Sequence, residues 1–541
     1  VEEPELRPGR RRRGGWPGLR PERRREPGYR KSDAGRGCSG TLAAATRVAF
    51  SIRPFLPLVV LVLVLVFIFR RPRGLSEAWF TAAGAALLAA LGYLNATDIR
   101  AVLGQTAPTL AFLAGMLVVA FVADRAGVFR RIAERVAHRA GGSPVKLYVL
   151  LFLLGSVMTI LFSLDTTAVT LTPIVLAIAV RLGLPLLPFV WLAIYTSNAA
   201  SLLLPVSNLT NLIAVGYYGV PFWEYARVML WPAVFVIVLN LILFVLLFRD
   251  QLRRGRPLQP AASGEAVPLV QEETPTIPGG PLTTTCNSDE TLTRWVEVGL
   301  LALLAGLGLA PYLDWPLWEV STATAVLLTF LALRRRLIAP VELVRKVSWS
   351  VIPFVFGLFL VIRAVEPGFY RLLEATHLLA LLRTPEQVTA AAAAVPAAAT
   401  TPAAVTAPAA AAAPVGAAAG HGALGLHGIT GELVTAARFA VLGAVSANLV
   451  NNLPAELLFL DLAGSGSALY GLLLGVNLGP NLTIIGSLAT ILVLSLARQA
   501  GASVSFRDYL RLGLIMTPAL LLAALAGLLL AACAGLTAPA I

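Results

Sequence analysis

Residues 162–175 read FSLDTTAVTLTPIV, and their most unusual feature is the carboxylate of Asp165. It stands among threonines, between apolar runs that are long enough to enter a lipid bilayer. Placing a charge near the middle of a membrane costs about 2.5–3.5 kcal/mol on insertion scales, so ionisable residues at that depth usually have a function. The stretch therefore predicts both a membrane protein and a candidate functional residue.

The composition also predicts a membrane protein. The chain has 541 residues, of which 57% are hydrophobic and 13% are charged, whereas soluble proteins carry about 25% charged residues. Apolar stretches of about 20 residues, the length of a membrane-spanning helix, recur from Pro54 to Pro539. This pattern predicts an all-α polytopic protein of the cell (inner) membrane and argues against a large soluble helical protein.

The net charge of +14 does not indicate a nucleic-acid partner, because much of it is concentrated at one end. Residues 1–53 hold 14 Lys or Arg and 6 Asp or Glu in a segment rich in proline, glycine and arginine. Such a composition cannot bury a core and predicts a disordered head. We interpret this head as a non-native extension that contributes little to function; attraction to anionic membrane lipid is the alternative.

Several enzyme classes lack their signatures in this sequence. The three cysteines form no CxxC pair and the four histidines no HExxH pair, so we expect no metal site and no cofactor. The sequence also lacks a P-loop for ATP hydrolysis and the GxSxG motif of serine hydrolases. An intramembrane enzyme is therefore not favoured.

The distribution of arginine sets the expected orientation. Arginine clusters between the apolar segments lie in the cytoplasm by the positive-inside rule. Simple alternation of spans fails at residues 145–181 and 433–463, which are too long for one crossing and short for two. We expect a re-entrant hairpin at each, turning near Asp165 and near Asn451, together with about ten spans. This count places the basic head outside, against its own charge.

The chain divides into two halves that resemble each other. Residues 54–248 form a first predicted transmembrane repeat and residues 295–537 a second, joined by a cytoplasmic linker over 249–294. An Ala/Pro-rich insertion at 384–426 interrupts the second repeat. The loop charges give the two repeats inverted topology.

Each half contains a long uncharged segment with a proline followed by Asn-Leu-Thr. These are PVSNLT, with Asn208, and GPNLT, with Asn481. Proline frees backbone groups of a membrane helix, so both segments are predicted to be broken near the midplane. Paired breaks in two inverted halves point to the binding site of a secondary transporter. Reading Asn-Leu-Thr as a glycosylation sequon has little support inside a membrane segment.

The predicted site lies where the two hairpin tips meet the two broken helices. Its lining is neutral and rich in hydroxyl and amide groups, which suits a small hydroxyl-bearing solute. Without Arg or Lys to pair with an anion, a di- or tricarboxylate is a less natural substrate. The expected substrate-binding residues are Ser163, Thr166, Thr167, Ser207, Asn208, Thr210, Asn451, Asn452, Asn477, Asn481 and Thr483.

Asp165 is the expected proton carrier of this site. A low-dielectric environment favours the protonated carboxyl group, which can load and release a proton as access to the site alternates. The alternative is structural, with Asp165 only capping the N-terminus of a half-helix. Glu456 and Asp461, which follow the second tip, are rivals for proton carriage.

Several motifs resemble the ArsB arsenite/antimonite efflux permeases of the ion transporter superfamily, over about residues 54–537 except the Ala/Pro insertion. They are SLDTTAVTLTPIV, TSNAASLLLPVSNLTNLI, NNLPAELL and GVNLGPNLTIIGSLAT. The resemblance implies inverted repeats, a scaffold with a mobile transport part, and proton exchange. It also implies a possible cytosolic partner, an ArsA-type ATPase. ArsB-like proteins place an Asn-Asp pair at the first tip, where this chain has Leu164 and Asp165, so Thr166 or Thr167 is expected to replace the amide.

The resemblance implies export of arsenite and antimonite in exchange for protons. Arsenous acid is a neutral metalloid hydroxide with three hydroxyl groups, so Asn, Ser and Thr can hold it without a compensating charge. A scarcity of membrane cysteines fits a carrier that must release its substrate. The alternatives on the same scaffold are a sodium/proton antiporter and a silicic acid exporter; a purely structural membrane protein would not need polar residues at mid-membrane in both halves.

Overall fold

The computed structural model describes residues 53–70, 75–253, 290–376 and 426–536. The predicted head up to residue 52, the centre of the predicted linker and nearly all of the Ala/Pro-rich insertion lie outside these ranges. Within them the backbone forms α-helices, short 3₁₀ turns and connecting loops, without any strand. Nine of the described helical stretches are long and apolar enough to cross a membrane. The chain is therefore an all-α, multi-pass membrane protein.

The first half contains nine α-helices in its described residues. They are α1 Leu56–Arg70, α2 Glu77–Ala90, α3 Ala96–Arg125, α4 Val128–Arg139, α5 Pro144–Phe162, α6 Leu164–Arg181, α7 Leu186–Ala199, α8 Leu209–Tyr218 and α9 Phe222–Arg253. The second half also contains nine in its described residues. They are α10 Glu290–Leu309, α11 Leu317–Arg334, α12 Pro340–Lys346, α13 Val351–Ala375, α14 Leu426–Val450, α15 Asn452–Ala463, α16 Ser467–Leu478, α17 Leu488–Gln499 and α18 Phe506–Cys533.

The boundaries of the predicted linker need correction. α9 runs to Arg253 and α10 begins at Glu290, so the interval predicted as a linker over 249–294 is helical at both ends. Arg53, which was assigned to the head, opens a 3₁₀ turn that leads into α1.

The first predicted hairpin consists of α5 and α6, which pack against each other. Ser163 alone separates them, and its φ of 116° is a value that non-glycine residues rarely adopt. The helix therefore stops and restarts in a new direction two residues before Asp165. The arms have 19 and 18 residues, so each is long enough to cross a membrane, contrary to the expectation of short arms. The re-entrant path stays a prediction.

The second hairpin consists of α14 and α15, and it turns at Asn451, as expected. Asn451 has a φ of 82°, so here too a non-glycine residue takes a positive φ at the turn. α15 has only 12 residues, fewer than the roughly 20 that a transmembrane helix needs. By length alone, this second arm is too short to cross.

Both predicted broken helices are present, and they are built alike. Each runs through a helix, a three-residue 3₁₀ turn, two linking residues, a second three-residue turn, one capping residue and a second helix. In the first half the turns are Ala200–Leu202 and Pro205–Ser207; in the second they are Gly479–Asn481 and Ile484–Gly486.

This equal spacing corrects the predicted correspondence between Asn208 and Asn481. Asn208 caps α8 after the second turn, whereas Asn481 ends the first turn of its own break. Aligned without a gap, Asn208 corresponds to Ser487, and Asn198 corresponds to Asn477. The two Asn-Leu-Thr motifs are therefore out of register. The proline that precedes the motif, Pro205, opens the second turn in the first half, whereas Pro480 lies in the first turn in the second half.

The hairpins and broken helices of the two halves contact each other crosswise. α6 packs on α17, and α15 packs on α8, so each hairpin contacts the second helix of the other half's break. Outside this group, α3 packs on α11 and also contacts α6 and α8. The opposite orientation of the two halves across a membrane stays a prediction.

Candidate functional site

A small cavity lies where the first hairpin tip, the first break and α3 meet. Its volume is about 20 Å³, which is room for about one water molecule. The residues that line it are Phe112, Leu113, Met116, Leu117, Phe162, Ser163, Asp165, Thr166, Val206, Asn208, Leu209 and Leu212. Four of the predicted site residues therefore meet around one space, and in this conformation that space is too small for a solute with three hydroxyl groups.

Among the described residues that line the cavity, Asp165 alone has an ionisable side chain. Its side chain is exposed, and no hydrogen bond or ion pair from the described part of the chain reaches its carboxylate. It lies in the first turn of α6, where the helix dipole favours a negative charge. The carboxylate is therefore available to a proton or a solute in the cavity.

Ser163, and not Asp165, caps α6. The hydroxyl of Ser163 accepts a hydrogen bond from the Thr166 N–H at 3.4 Å and donates one to the Thr166 hydroxyl at 3.2 Å. The hypothesis that Asp165 only caps this half-helix is therefore wrong, because a neighbouring side chain does so. The same bonds place the Thr166 hydroxyl beside the cavity.

Thr167 was expected at the site but does not line the cavity. Its side chain is fully buried, and its hydroxyl has no hydrogen-bond partner within the described residues. Of the two threonines proposed to replace the missing amide at Leu164, only Thr166 is positioned to do so, because successive helix residues point in different directions.

Ser207 supports the site without entering it. Its hydroxyl donates to the Ile160 carbonyl at 2.9 Å and accepts from the Leu204 N–H at 3.2 Å. These two bonds tie the break of the first half to the end of the α5 arm. The expected binding role of Ser207 is therefore taken over by a structural one in this conformation.

Asn208, Thr210 and Asn477 form a buried network that joins the two halves. The Asn477 Oδ1 accepts hydrogen bonds from the Asn208 amide and, at 2.9 Å, from the Thr210 hydroxyl. The Asn477 Nδ2 donates to the Asn211 Oδ1 at 2.7 Å. Of these residues only Asn208 also lines the cavity.

A second network mirrors the first across the two halves. The Asn198 Nδ2 donates to the Asn481 Oδ1 and to the Thr490 hydroxyl, both at 3.1 Å. Asn198 and Asn477 occupy matching places, as do Asn211 and Thr490, so each half contributes one amide that reaches into the other half's break. Asn481 is fully buried in this network and away from the cavity.

The second hairpin tip does not line the described cavity. The Asn451 Nδ2 donates to the Ile485 carbonyl at 3.2 Å, which ties this tip to the second break. The Thr483 hydroxyl donates to the Asn448 Oδ1 at 2.7 Å. Asn452, half-buried, opens α15. The predicted single site with equal parts from both halves is therefore asymmetric in this conformation.

The sequence reading missed two groups of site residues. Asn198 and Asn211 flank the first break within TSNAASLLLPVSNLTN, and their equal spacing to Asn477 and Thr490 was the available signal. The wall formed by Phe112, Leu113, Met116 and Leu117 of α3 gave no such signal, because an apolar run in a membrane helix looks the same whether it faces lipid, protein or a cavity.

The chemistry of the lining favours a neutral solute. The lining residues include no Arg or Lys within the described chain, and the polar groups are hydroxyls, one amide and one carboxylate. No group of three His, Cys, Asp or Glu among the described residues is placed to hold a metal ion. The cavity can therefore offer hydrogen bonds and one exchangeable proton.

Two family models match the chain. The model described as "Citrate transporter" matches residues 62–463, and the model described as "Arsenical pump membrane protein" matches residues 423–531. The first covers more than half of the chain and includes the first hairpin, both tips and the first break. The second covers the second hairpin and the second break.

Individual relatives are similar over most of their length. Arsenical pump membrane proteins of Escherichia coli strain K12 and of Yersinia enterocolitica are each 27% identical to this chain over 87% of it and 97% of the relative. The crystal structure of the YdaH transporter of Alcanivorax borkumensis covers 88% of this chain and 99% of that chain at 16% identity, with a TM-score of 0.48. The chain belongs to the membrane transporter family of the citrate transporter model, and it is similar along most of its length to arsenical pump membrane proteins.

Proposed function

We propose that this protein is a secondary transporter of the inner cell membrane that exports arsenite and antimonite from the cytoplasm in exchange for protons. The observation that carries the proposal is the Asp165 carboxylate, which has no partner among the described residues and lines a cavity without Arg or Lys between the first hairpin tip, the first break and α3. The similarity to arsenical pump membrane proteins supports the substrate.

Asp165 couples the solute to the proton in this proposal. A carboxylate that accepts a proton from one side of the membrane and loses it to the other changes the charge of the cavity by one. A neutral metalloid hydroxide donates hydrogen bonds to the ionised Asp165, and it meets a weaker acceptor once Asp165 is protonated. Proton loading on the outside therefore favours release of the solute there.

The cavity must widen for transport. With a volume of about 20 Å³, it cannot hold a molecule the size of arsenous acid, so the solute enters another conformation. The cavity walls belong to two packing groups, α3 on one side and the hairpin with its break on the other. Movement of α3 relative to α6 and α8 opens the cavity, which fits a scaffold with a mobile transport part.

Citrate is the competing substrate, because the matching family model is described as a citrate transporter. A tricarboxylate carries up to three negative charges, and their burial requires cationic partners. The described lining offers none and adds the negative charge of Asp165. We therefore expect no citrate transport by this chain.

The test is arsenite uptake into everted membrane vesicles with an imposed acid-inside pH gradient and without ATP. We expect uptake that collapses on addition of a protonophore and that is lost in Asp165→Asn, since an amide cannot carry the proton. Near-normal uptake by this variant would remove Asp165 from the coupling mechanism.

The matched control is Asp314→Asn. Asp314 is exposed in a loop with a φ of 52°, a conformation that Asn tolerates well, so the same chemical change there should leave uptake unchanged. Citrate, sodium and silicic acid are tested in parallel. Absence of arsenite uptake by well-expressed wild type contradicts the substrate proposal; sodium dependence without a metalloid effect indicates an antiporter.

An ArsA-type ATPase is a proposed partner. Arsenite uptake by vesicles without ATP measures proton-driven transport alone. A gain of ATP-dependent uptake when purified ATPase is added to the cytoplasmic face supports the partnership, and unchanged uptake argues against it.

A further inference from the structure

Glu456 is a second acidic residue in the hairpin region that the proposed mechanism does not use. It lies on α15, the second arm of the second hairpin, and is 0% exposed. Neither oxygen of its carboxyl group has a hydrogen-bond partner among the residues that the structure describes. It is not a lining residue of the cavity around Asp165.

Glu456 lies about one helical turn beyond the position in the second hairpin that corresponds to Asp165. Ser163 and Asn451 both separate the arms of a hairpin, so Asp165 corresponds to Leu453. Glu456 lies three residues after Leu453, close to one helical turn further along the same face. The first hairpin therefore has one carboxyl group after its turn, Asp165, whereas the second has two, Glu456 and Asp461, of which Glu456 lies nearer the turn.

Burial without a partner is compatible with only one charge state of Glu456. An ionised carboxylate that has lost its water and has no partner is strongly destabilised. A neutral carboxyl group in the same place leaves one donor unsatisfied, which is much less destabilising. Burial without a partner therefore favours the protonated form of Glu456.

Among the residues that the structure describes, no cationic side chain is bonded to the Glu456 carboxyl group. Tyr225 of α9 is within electrostatic range, and its hydroxyl donates to the Leu202 carbonyl at 3.0 Å. Among the described side chains on the helices packed against α15, the charged or titratable ones are Tyr217, Tyr218, Arg363, Glu366, Tyr370, Arg371, Glu374, Glu432, Arg438 and Tyr470. Arg363 is paired with Glu366 at 3.0 Å.

Tyrosine and acidic side chains lie around the end of the second hairpin that is opposite its turn. Tyr225 and Tyr470 have ring centroids 6.2 Å apart, and Glu224 is within electrostatic range of Tyr470. On the same end of α15, Tyr217 donates to Asp461. In the orientation predicted from the basic loops, this end faces the outside, which is where a proton that drives export would enter.

We propose that Glu456 is a second proton-binding site, separate from the solute cavity, which is loaded in this conformation and discharges in another stage of the cycle. The proposal rests on proton-coupled export as the function of the chain. Because Glu456 does not line the cavity, it acts on the proton alone, whereas Asp165 links the proton to the solute inside the cavity.

The test separates coupling from recognition in proteoliposomes containing purified full-length protein. Glu456→Gln keeps the volume and neutrality of the protonated residue, so it should fold normally. We expect it to abolish accumulation of arsenite against its gradient, while arsenite–arsenite exchange at equal pH stays within about twofold of wild type. Glu374→Gln, an exposed site on α13, is the control and should retain both activities.

A second measurement does not depend on transport. The infrared carbonyl band of a protonated carboxyl group at neutral pH should be present in wild type and Glu374→Gln and reduced in Glu456→Gln. An unchanged band, or gradient-driven accumulation by Glu456→Gln with the wild-type proton stoichiometry, overturns the proposal. If wild type shows no arsenite transport at all, the proposed function fails, and the band still decides whether Glu456 holds a proton.

Discussion

At the scale of single residues, the site divides polar groups into those used for structure and those left for a ligand. The side chains of Ser207, Thr210 and Asn477 form hydrogen bonds with other parts of the chain. Asp165 has none from the described residues, and Thr166 bonds only to the adjacent cap. Residue type alone does not separate these roles, because the same hydroxyl can bind a solute or a backbone carbonyl.

Thr166→Val is predicted to weaken metalloid binding. It removes a hydroxyl that lines the cavity and keeps the branched shape, so loss of one hydrogen bond of about 0.5–1.5 kcal/mol should raise the KM for arsenite by about 2- to 12-fold. Thr170→Val is the control, because the Thr170 hydroxyl donates to the Thr166 carbonyl at 2.7 Å and does not line the cavity. Equal KM values for the two variants would contradict the assignment of Thr166.

At the scale of helices, small residues allow α14 and α16 to approach closely. Gly471 and Gly475 of α16 and Gly479 of the turn that follows it recur every fourth residue, and an added Cβ at each would meet the backbone of α14. This spacing is the small-residue pattern by which membrane helices pack where the hydrophobic effect offers no driving force between them. It holds the second hairpin against the second break.

Gly475→Ala is predicted to destabilise the protein. Its Cβ would lie 2.8 Å from the Ala444 nitrogen and 2.9 Å from the Gly443 Cα, so the helices must separate, at a cost of about 1–3 kcal/mol. Gly431→Ala on α14 meets no atom within 4 Å and serves as the control. The midpoint of thermal unfolding in detergent should fall for the first and hold or rise for the second; equal midpoints would refute close packing here.

At the scale of the whole molecule, two amides connect the halves. Asn477 bonds to three residues of the first half and Asn198 to two residues of the second. The matched places of these amides replace the sequence-based expectation that Asn208 and Asn481 contribute equally. The halves are therefore joined at their breaks, the same places that would have to move in transport.

Asn477→Ala and Asn198→Ala are both predicted to lower stability, the first by more. Each leaves buried polar partners unsatisfied at about 1–3 kcal/mol per group, and Asn477 has the larger set. Thr435→Ala, which removes only a local bond to the Gly431 carbonyl, is the control. The measurement is the fraction of monodisperse protein that survives heating; a smaller loss for Asn477→Ala than for Thr435→Ala would argue against the network.

The amino-acid sequence alone was sufficient to predict a membrane protein, the positions of both hairpins and both helix breaks, and to identify Asp165 as a candidate functional residue. Those features follow from local hydropathy, from proline and from the cost of a charge in a membrane. The register of the two breaks, the capping of α6 by Ser163, the wall contributed by α3 and the isolation of Glu456 came from the fold. They depend on which distant segments pack together, and hydrogen-bond partners hundreds of residues apart, such as Asn208 and Asn477, leave no local pattern from which the pairing can be read.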